Sequence, residues 1–170
     1  MVGRVVGAGR DATRWRPGDL VTGLGGEGFA THAVLDAHAI LPVPPGIEPA
    51  HAIGEPVADL EEALSRTGIA PGARVAVVGL GFMGLGLVQL AKRYAPGLLV
   101  GVDPDPARRR RALALGADLV FAPDERPAED RTVTGRATDA RPAIVLEATG
   151  ATGGLKTAGS MVRPFGTLCV

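Results

Sequence analysis

The stretch "VAVVGLGFMGLG", residues 75 to 86, sets Gly79, Gly81 and Gly84 at G-x-G-x-x-G spacing directly behind an apolar run. That arrangement suits a phosphate cradle. The first glycine permits a tight turn, the second lets backbone approach a pyrophosphate, and the third lets a helix pack close to a sheet. The helix that follows would offer free N–H groups and its positive dipole end to the phosphates. A chain with 25 glycines meets the spacing easily, so its setting between a strand and a helix is what gives it weight. A second residue fits the same chemistry. Asp103 ends "LLVGVD" nineteen residues past Gly84, near the ~20 expected for an acid that accepts hydrogen bonds from ribose hydroxyls. Such a carboxylate repels a 2′-phosphate, which favours NAD over NADP. A turn or helix-cap role before Pro104 is the competing reading of Asp103. Arg108 to Arg111 spread around a helix and cannot converge on one ligand, so they read as a solvated face. Arg108 is the exception, one turn past Asp103 and placed to lie over an adenine.

These residues need a strand, a tight turn and a helix to position them, and from Pro71 onward the chain repeats that order. "RVAVVG" reads as a buried strand, residues 82 to 94 as a helix, and "LLVGVD" as a second strand. "PARRRRALALG" reads as a helix ended by Gly116 at the C′ position. "ADLVF", "AIVLEATG" and "GTLCV" supply three further strands. Continuous apolar strands alternating with helices specify a parallel sheet covered on both faces. Residues 122 to 142 carry three prolines and few large apolar residues, which predicts a short or frayed crossover helix, disordered in part.

Upstream, "VGRVVGAG", "RPGDLVTG", "GFATHAVL" and "AILPVP" read as short strands, with "GLGGEG" as a loop between them. Residues 48 to 66 follow helical spacing, with Ala52, Ile53, Val57, Leu60 and Leu64 on one side. Gly54 and Pro56 bend or break that segment near its start. The expected organisation is a β-rich segment over 1–47, a connecting helical segment over 48–70, and an α/β domain over 71–170.

Apolar residues make up 46% of the chain and aromatics 4%, so the core must be mostly Val, Leu, Ala and Ile. Eighteen basic residues balance eighteen acidic ones. The broad positive field of a non-specific nucleic-acid binder is lacking, and no nucleic-acid partner is expected. The single cysteine, Cys169, excludes a disulfide framework and a Cys-based structural zinc site within this chain. No apolar run is long enough to span a bilayer, and no signal-peptide pattern opens the chain. A soluble, cytoplasmic protein with no membrane partner is the expectation.

"PGDLVTG", "GFATHAV", "LPVPPGI", "EPVADLEEAL", "PGARVAVVGLGFMGLGLVQLAK", "VDPDPARRRRALALGADLVF" and "IVLEATG" occur in this order. Together they resemble the zinc-dependent medium-chain dehydrogenases, the alcohol, polyol, threonine and sugar dehydrogenase superfamily. The resemblance covers nearly the whole chain. It implies a Rossmann-type doubly wound parallel sheet preceded by part of a GroES-like catalytic domain. It also implies NAD-linked hydride transfer between an alcohol carbon and nicotinamide, with a zinc ion polarising the oxygen. Carried over residue by residue, Gly79, Gly81, Phe82, Met83 and Gly84 hold the pyrophosphate and Asp103 the ribose. Thr149 and Gly150 of "EATG" lie near the nicotinamide half. Glu55 in "GEPVADLEEAL" matches a glutamate that, in the polyol and glucose dehydrogenase branches, approaches the zinc directly or through water. An acid early in a helix is also simply a favourable dipole contact.

The same resemblance puts the family's zinc-holding cysteine and His-Glu pair upstream of "VGRVV", before Met1. The four-cysteine lobe is replaced by "LGGEG", and His32, His38 and His51 do not match ligand positions. The family's sheet also continues beyond "GTLCV", so an unpaired apolar edge after Val170 is expected. A homo-oligomer or a complementing chain would cover it. Three readings follow: a dehydrogenase of small alcohols, polyols or sugars; a truncated NAD-binding relative without hydride transfer; and a dimerising module.

Overall fold

The computed structural model describes residues 1–25, 28–125 and 141–170. The chain forms two compact units, Met1–Asp59 and Leu60–Val170. In the second, β4 (Arg74–Val78), β5 (Leu98–Val102), β6 (Leu119–Phe121), β7 (Ile144–Glu147) and β8 (Thr167–Cys169) form one sheet in the order β6-β5-β4-β7-β8. Every neighbouring pair is parallel, with Val75 of β4 set between Leu99 of β5 and Ile144 of β7.

The period-two geometry of a strand explains why β4 reads as an unbroken apolar run. Val75 and Val77 enter a core built with Leu60, Leu64, Leu87 and Leu99. Ala76 and Val78 point the other way, into a second core with Val100, Val145, Ala158 and Met161. These four of the five β4 side chains are buried, so the sheet is covered on both faces as the sequence predicts. The cover comes from α1 (Glu55–Thr67), α2 (Phe82–Ala91), α3 (Pro106–Ala114) and α4 (Thr152–Met161). At Gly86 of α2 an added Cβ would strike the Leu60 side chain, so small size lets α1 pack tightly there.

Helix α3 stops as its sequence foretells. Asp105 caps its start by accepting from Ala107 N–H at 2.7 Å. At its end Gly116 takes φ +112°. Gly116 N–H donates to the Leu113 carbonyl and Ala117 N–H to the Ala112 carbonyl, the paired bonds of a Schellman motif. The expected helix over 82–94 is α2 followed by a single 3-10 turn, Lys92–Tyr94.

In the first unit β1 (Val2–Arg4), β2 (Leu20–Gly23) and β3 (Ile40–Pro42) form an antiparallel sheet in that order. Its small core is Trp15, Val21 and Ile40. "GFATHAVL" is not the strand its alternation suggests. Phe29 adopts φ +58°, Phe29 and Val34 are fully exposed, and no strand pairs with the segment. Alternation supplies only a preference, and without a partner its backbone groups gain nothing from extension. The helical spacing over 48–66 also needs correction. A 3-10 turn (Pro49–His51) precedes the break, and α1 begins only at Glu55. Ile53 therefore lies outside the helix, and Ile53 and Val57 are both 53% exposed, while Ala52, Leu60 and Leu64 are buried.

The expected frayed crossover lies mostly outside the described residues; its described start, Ala122 to Glu125, closes a turn through Glu125 N–H and the Ala122 carbonyl. Among the described residues no helix is long and apolar enough to cross a membrane.

Leu64 is wholly buried and Val57 half exposed, and the two positions should respond differently to truncation. Leu64→Ala should lower unfolding free energy by about 2–5 kcal/mol. Val57→Ala should stay within about 0.5 kcal/mol. Urea denaturation of the two variants checks both.

Candidate functional site

The glycine turn joins the end of β4 to the start of α2. Gly79 takes φ +93°, a conformation that L side chains resist, and a Cβ there would stand 2.6 Å from Thr149 Cγ2 and 2.9 Å from the Ala148 carbonyl carbon. At Gly84 a Cβ would collide with the Gly79 carbonyl, so the first turn of α2 rests directly on the turn before it. Gly81 differs from both. Its φ is −73°, and a Cβ there would meet nothing within 4 Å. Among the described residues nothing requires glycine at that position, whereas a ligand seated against bare backbone would. No side chain caps α2, whose N-cap is Gly81 itself, and the N–H groups of a first helical turn have no intrahelical partners. The residues thus fit a diphosphate: a bare backbone approach, an uncapped helix start and its dipole.

Asp103 lies at the end of β5, only 2% exposed. One carboxylate oxygen accepts Leu80 N–H at 2.8 Å, so β5 fastens the glycine turn. The other accepts Asp105 N–H at 2.8 Å. The turn-residue reading of Asp103 therefore holds, although the cap of α3 is Asp105. Each oxygen retains further acceptor capacity for a hydroxyl. Arg108 reaches Asp103 Oδ2 at 3.7 Å and Asp105 Oδ2 at 3.7 Å with a half-exposed side chain. Both separations are beyond hydrogen-bond reach, so the arginine is loosely held and an incoming group can displace it.

Arg109 departs from the solvated face expected of the arginine block. Its Nη1 donates to the Asp103 carbonyl at 2.7 Å and the Pro104 carbonyl at 2.8 Å. Its role has no signal in residue type, since its neighbours on both sides are also arginines.

On the far side of β4, Glu147 ends β7 and accepts Thr149 N–H at 2.7 Å. It also accepts a short hydrogen bond from the Thr149 hydroxyl. Thr149 Oγ1 in turn accepts Ala151 N–H at 2.9 Å, and Gly150 takes φ +64°. This bracing holds Thr149 against Gly79, which brings the "EATG" turn to the glycine turn. Glu147 was not among the expected site residues; a carboxylate two positions before a threonine at a strand end is the signal that could have found it. Gly79, Gly81, Phe82, Met83, Gly84, Asp103, Arg108, Thr149 and Gly150 therefore cluster at the carboxyl ends of β4, β5 and β7, the location where open α/β sheets bind ligands.

Glu55 is the first residue of α1. Among the described residues no group of three or more His, Cys, Asp or Glu side chains is gathered to hold a metal ion, so this donor set does not fit a zinc centre. His32 and His38 are exposed, the former beside Thr31 Oγ1. A hollow of about 920 Å³ opens on the first unit, but its lining contains no acid and no cysteine. The glycine turn is the better-equipped chemical site.

No family model matches the chain. It is 32% identical over 142 residues to L-galactonate-5-dehydrogenase of Escherichia coli, an alignment covering 83% of this chain and 41% of that protein. It is 31% identical over 122 residues to sorbitol dehydrogenase of Bacillus subtilis, covering 70% of this chain and 33% of that one. The chain thus spans well under half the length of these relatives. Among solved structures, alcohol dehydrogenase TADH from Thermus sp. ATN1 superposes with a TM-score of 0.74 at 26% identity, covering 99% of this chain and 60% of that one. The parallel sheet, the antiparallel strands before it and these relatives agree: the chain belongs to the medium-chain dehydrogenase/reductase superfamily, with a Rossmann-type sheet preceded by part of a GroES-like domain.

Proposed function

We propose that this chain is the coenzyme-binding part of an NAD-linked dehydrogenase acting on an alcohol, polyol or sugar. The observation that carries the reading is the Asp103 carboxylate bound to Leu80 N–H inside the glycine turn. It joins the ribose-reading acid and the phosphate-reading loop in one rigid unit. Residues 1–47 belong to the GroES-like part, 48–70 connect, and 71–170 bind the dinucleotide.

Gly79, Gly81, Phe82, Met83 and Gly84 receive the pyrophosphate on main-chain N–H groups. Asp103 accepts the adenosine ribose hydroxyls, and its charge disfavours a 2′-phosphate, which selects NAD. Arg108 leaves its loose contact with Asp103 and lies over the adenine. Thr149 and Gly150 border the nicotinamide half, on the opposite side of β4 from Asp103. The bound nicotinamide supplies hydride acceptance; the chain's own part is to orient it. Glu55, at the start of α1, would stand near the zinc of a complete catalytic centre. The reading carries a small-molecule substrate, a cytoplasmic setting and a homo-oligomer or complementing chain along β8, which ends the sheet.

A second reading is NAD binding without turnover. A protein holding this chain together with a zinc-ligating catalytic segment should form NADH from NAD and a polyol. Zinc-loaded protein that forms none would favour the second reading.

Two measurements address the coenzyme site itself. Calorimetric titration should show saturable NADH binding and weaker NADPH binding. Asp103→Asn should weaken NADH roughly tenfold to a hundredfold, as loss of hydrogen bonds to a charged group does. Equal affinities for NADH and NADPH would reject the selection by Asp103. Gly81→Val should abolish NADH binding by filling the approach to the backbone. Its melting temperature should hold, since a Cβ at Gly81 meets no atom of the described residues beyond its chain neighbours within 4 Å; retained binding would remove the pyrophosphate from that turn.

A further inference from the structure

Within the four consecutive arginines, only Arg109 is largely withdrawn from solvent, with its side chain 15% exposed. Its guanidinium bridges two turns. Nη1 donates to the carbonyls of Asp103 and Pro104, at 2.7 and 2.8 Å. Nη2 stands 3.8 Å from Glu125 Oε2, and that same oxygen accepts Ala122 N–H at 3.1 Å. Asp103 N–H meanwhile donates to the Phe121 carbonyl at 3.2 Å. The ends of β5 and β6 are thus tied by one main-chain bond and one guanidinium. Asp103 sits between them with both carboxylate oxygens already aimed by backbone N–H groups.

We propose that Arg109 is a positioning residue for the dinucleotide, holding the Asp103 turn against the turn after β6 so that the carboxylate meets the ribose pre-oriented. The inference rests on the NAD-binding reading above. A planar fork can serve two successive carbonyls and a carboxylate together; an ammonium can serve them only in part. Pre-orientation raises affinity by removing an ordering cost at binding, without adding any contact to the ligand.

The test is a double-mutant cycle read by NADH calorimetry on the 170-residue chain, with thermal melts alongside. Arg109→Met should raise the NADH Kd about tenfold, within the range of coupled neighbours, and Arg109→Lys should recover part of that loss. Added to Asp103→Asn, Arg109→Met should change Kd less than about twofold, because its effect passes through the carboxylate. Arg110→Met, on the exposed side of α3, should bind as the unaltered chain does. A purely stabilising Arg109 would lower the melting temperature and leave Kd unchanged. That outcome, or full additivity with Asp103→Asn, overturns the inference alone. An unaltered chain that binds no NADH overturns the dinucleotide reading and the inference with it. Should Arg109→Met fail to fold, Arg109→Lys runs the same cycle.

Discussion

The contact between the α-carbon of Gly84 and the carbonyl of Gly79 is the constraint around which the second unit is built. Any side chain at 84 would occupy the space of that carbonyl, so only glycine lets α2 start so close to the end of β4. From that starting point the helix axis, its open N-terminus and the facing of Leu87 and Val88 into the core all follow. The same turn is fastened from the side by Leu80 N–H on Asp103. It abuts Thr149 at Gly79. Three strand ends therefore share one small turn, and displacement of any of them is felt by the others.

The sheet supplies the rigidity that such a turn needs. β4 is buried on both faces and hydrogen-bonded on both edges, so its end cannot move independently. The chain goes to one side of β4 for β5 and β6, then to the other for β7 and β8. The reversal opens a crevice at the carboxyl ends of β4 and its neighbours, where the connecting segments leave in opposite directions. The helices pack mostly aliphatic faces onto this frame, in keeping with the 4% aromatic content; small residues such as Gly86 set the spacing where a larger one would push α1 away.

Charge is used unequally in the second unit. Exposed pairs such as Arg66 with Glu62 contribute little, about 0–1 kcal/mol each. Charged groups bonded to main-chain partners out of water are worth more, about 1.5–3 kcal/mol. Asp103, whose bond from Leu80 N–H is buried, belongs to the second kind, while Arg109 ties two carbonyls at the edge of the turn. Arg108, half exposed, stands 3.7 Å from its acids, beyond hydrogen-bond reach. Two adjacent arginines thus divide into one that holds the frame and one free to meet a ligand.

What the sequence determined by itself is whatever depends on neighbours a few positions apart. The strand–turn–helix at Val75–Gly84, the acid at the end of the next strand, the Gly116 stop and the parallel α/β order were all legible, because chain geometry links such residues directly. Alternation misled in "GFATHAVL" and helical spacing misled at Ile53 and Val57, because both patterns state a preference that needs a packing partner to be realised. Tertiary structure alone decided that Thr149 lies against Gly79, that Glu147 braces it, and that Arg109 alone among four arginines turns inward. Those contacts join residues from separate strands, and their energies depend on distances that identity and spacing do not encode.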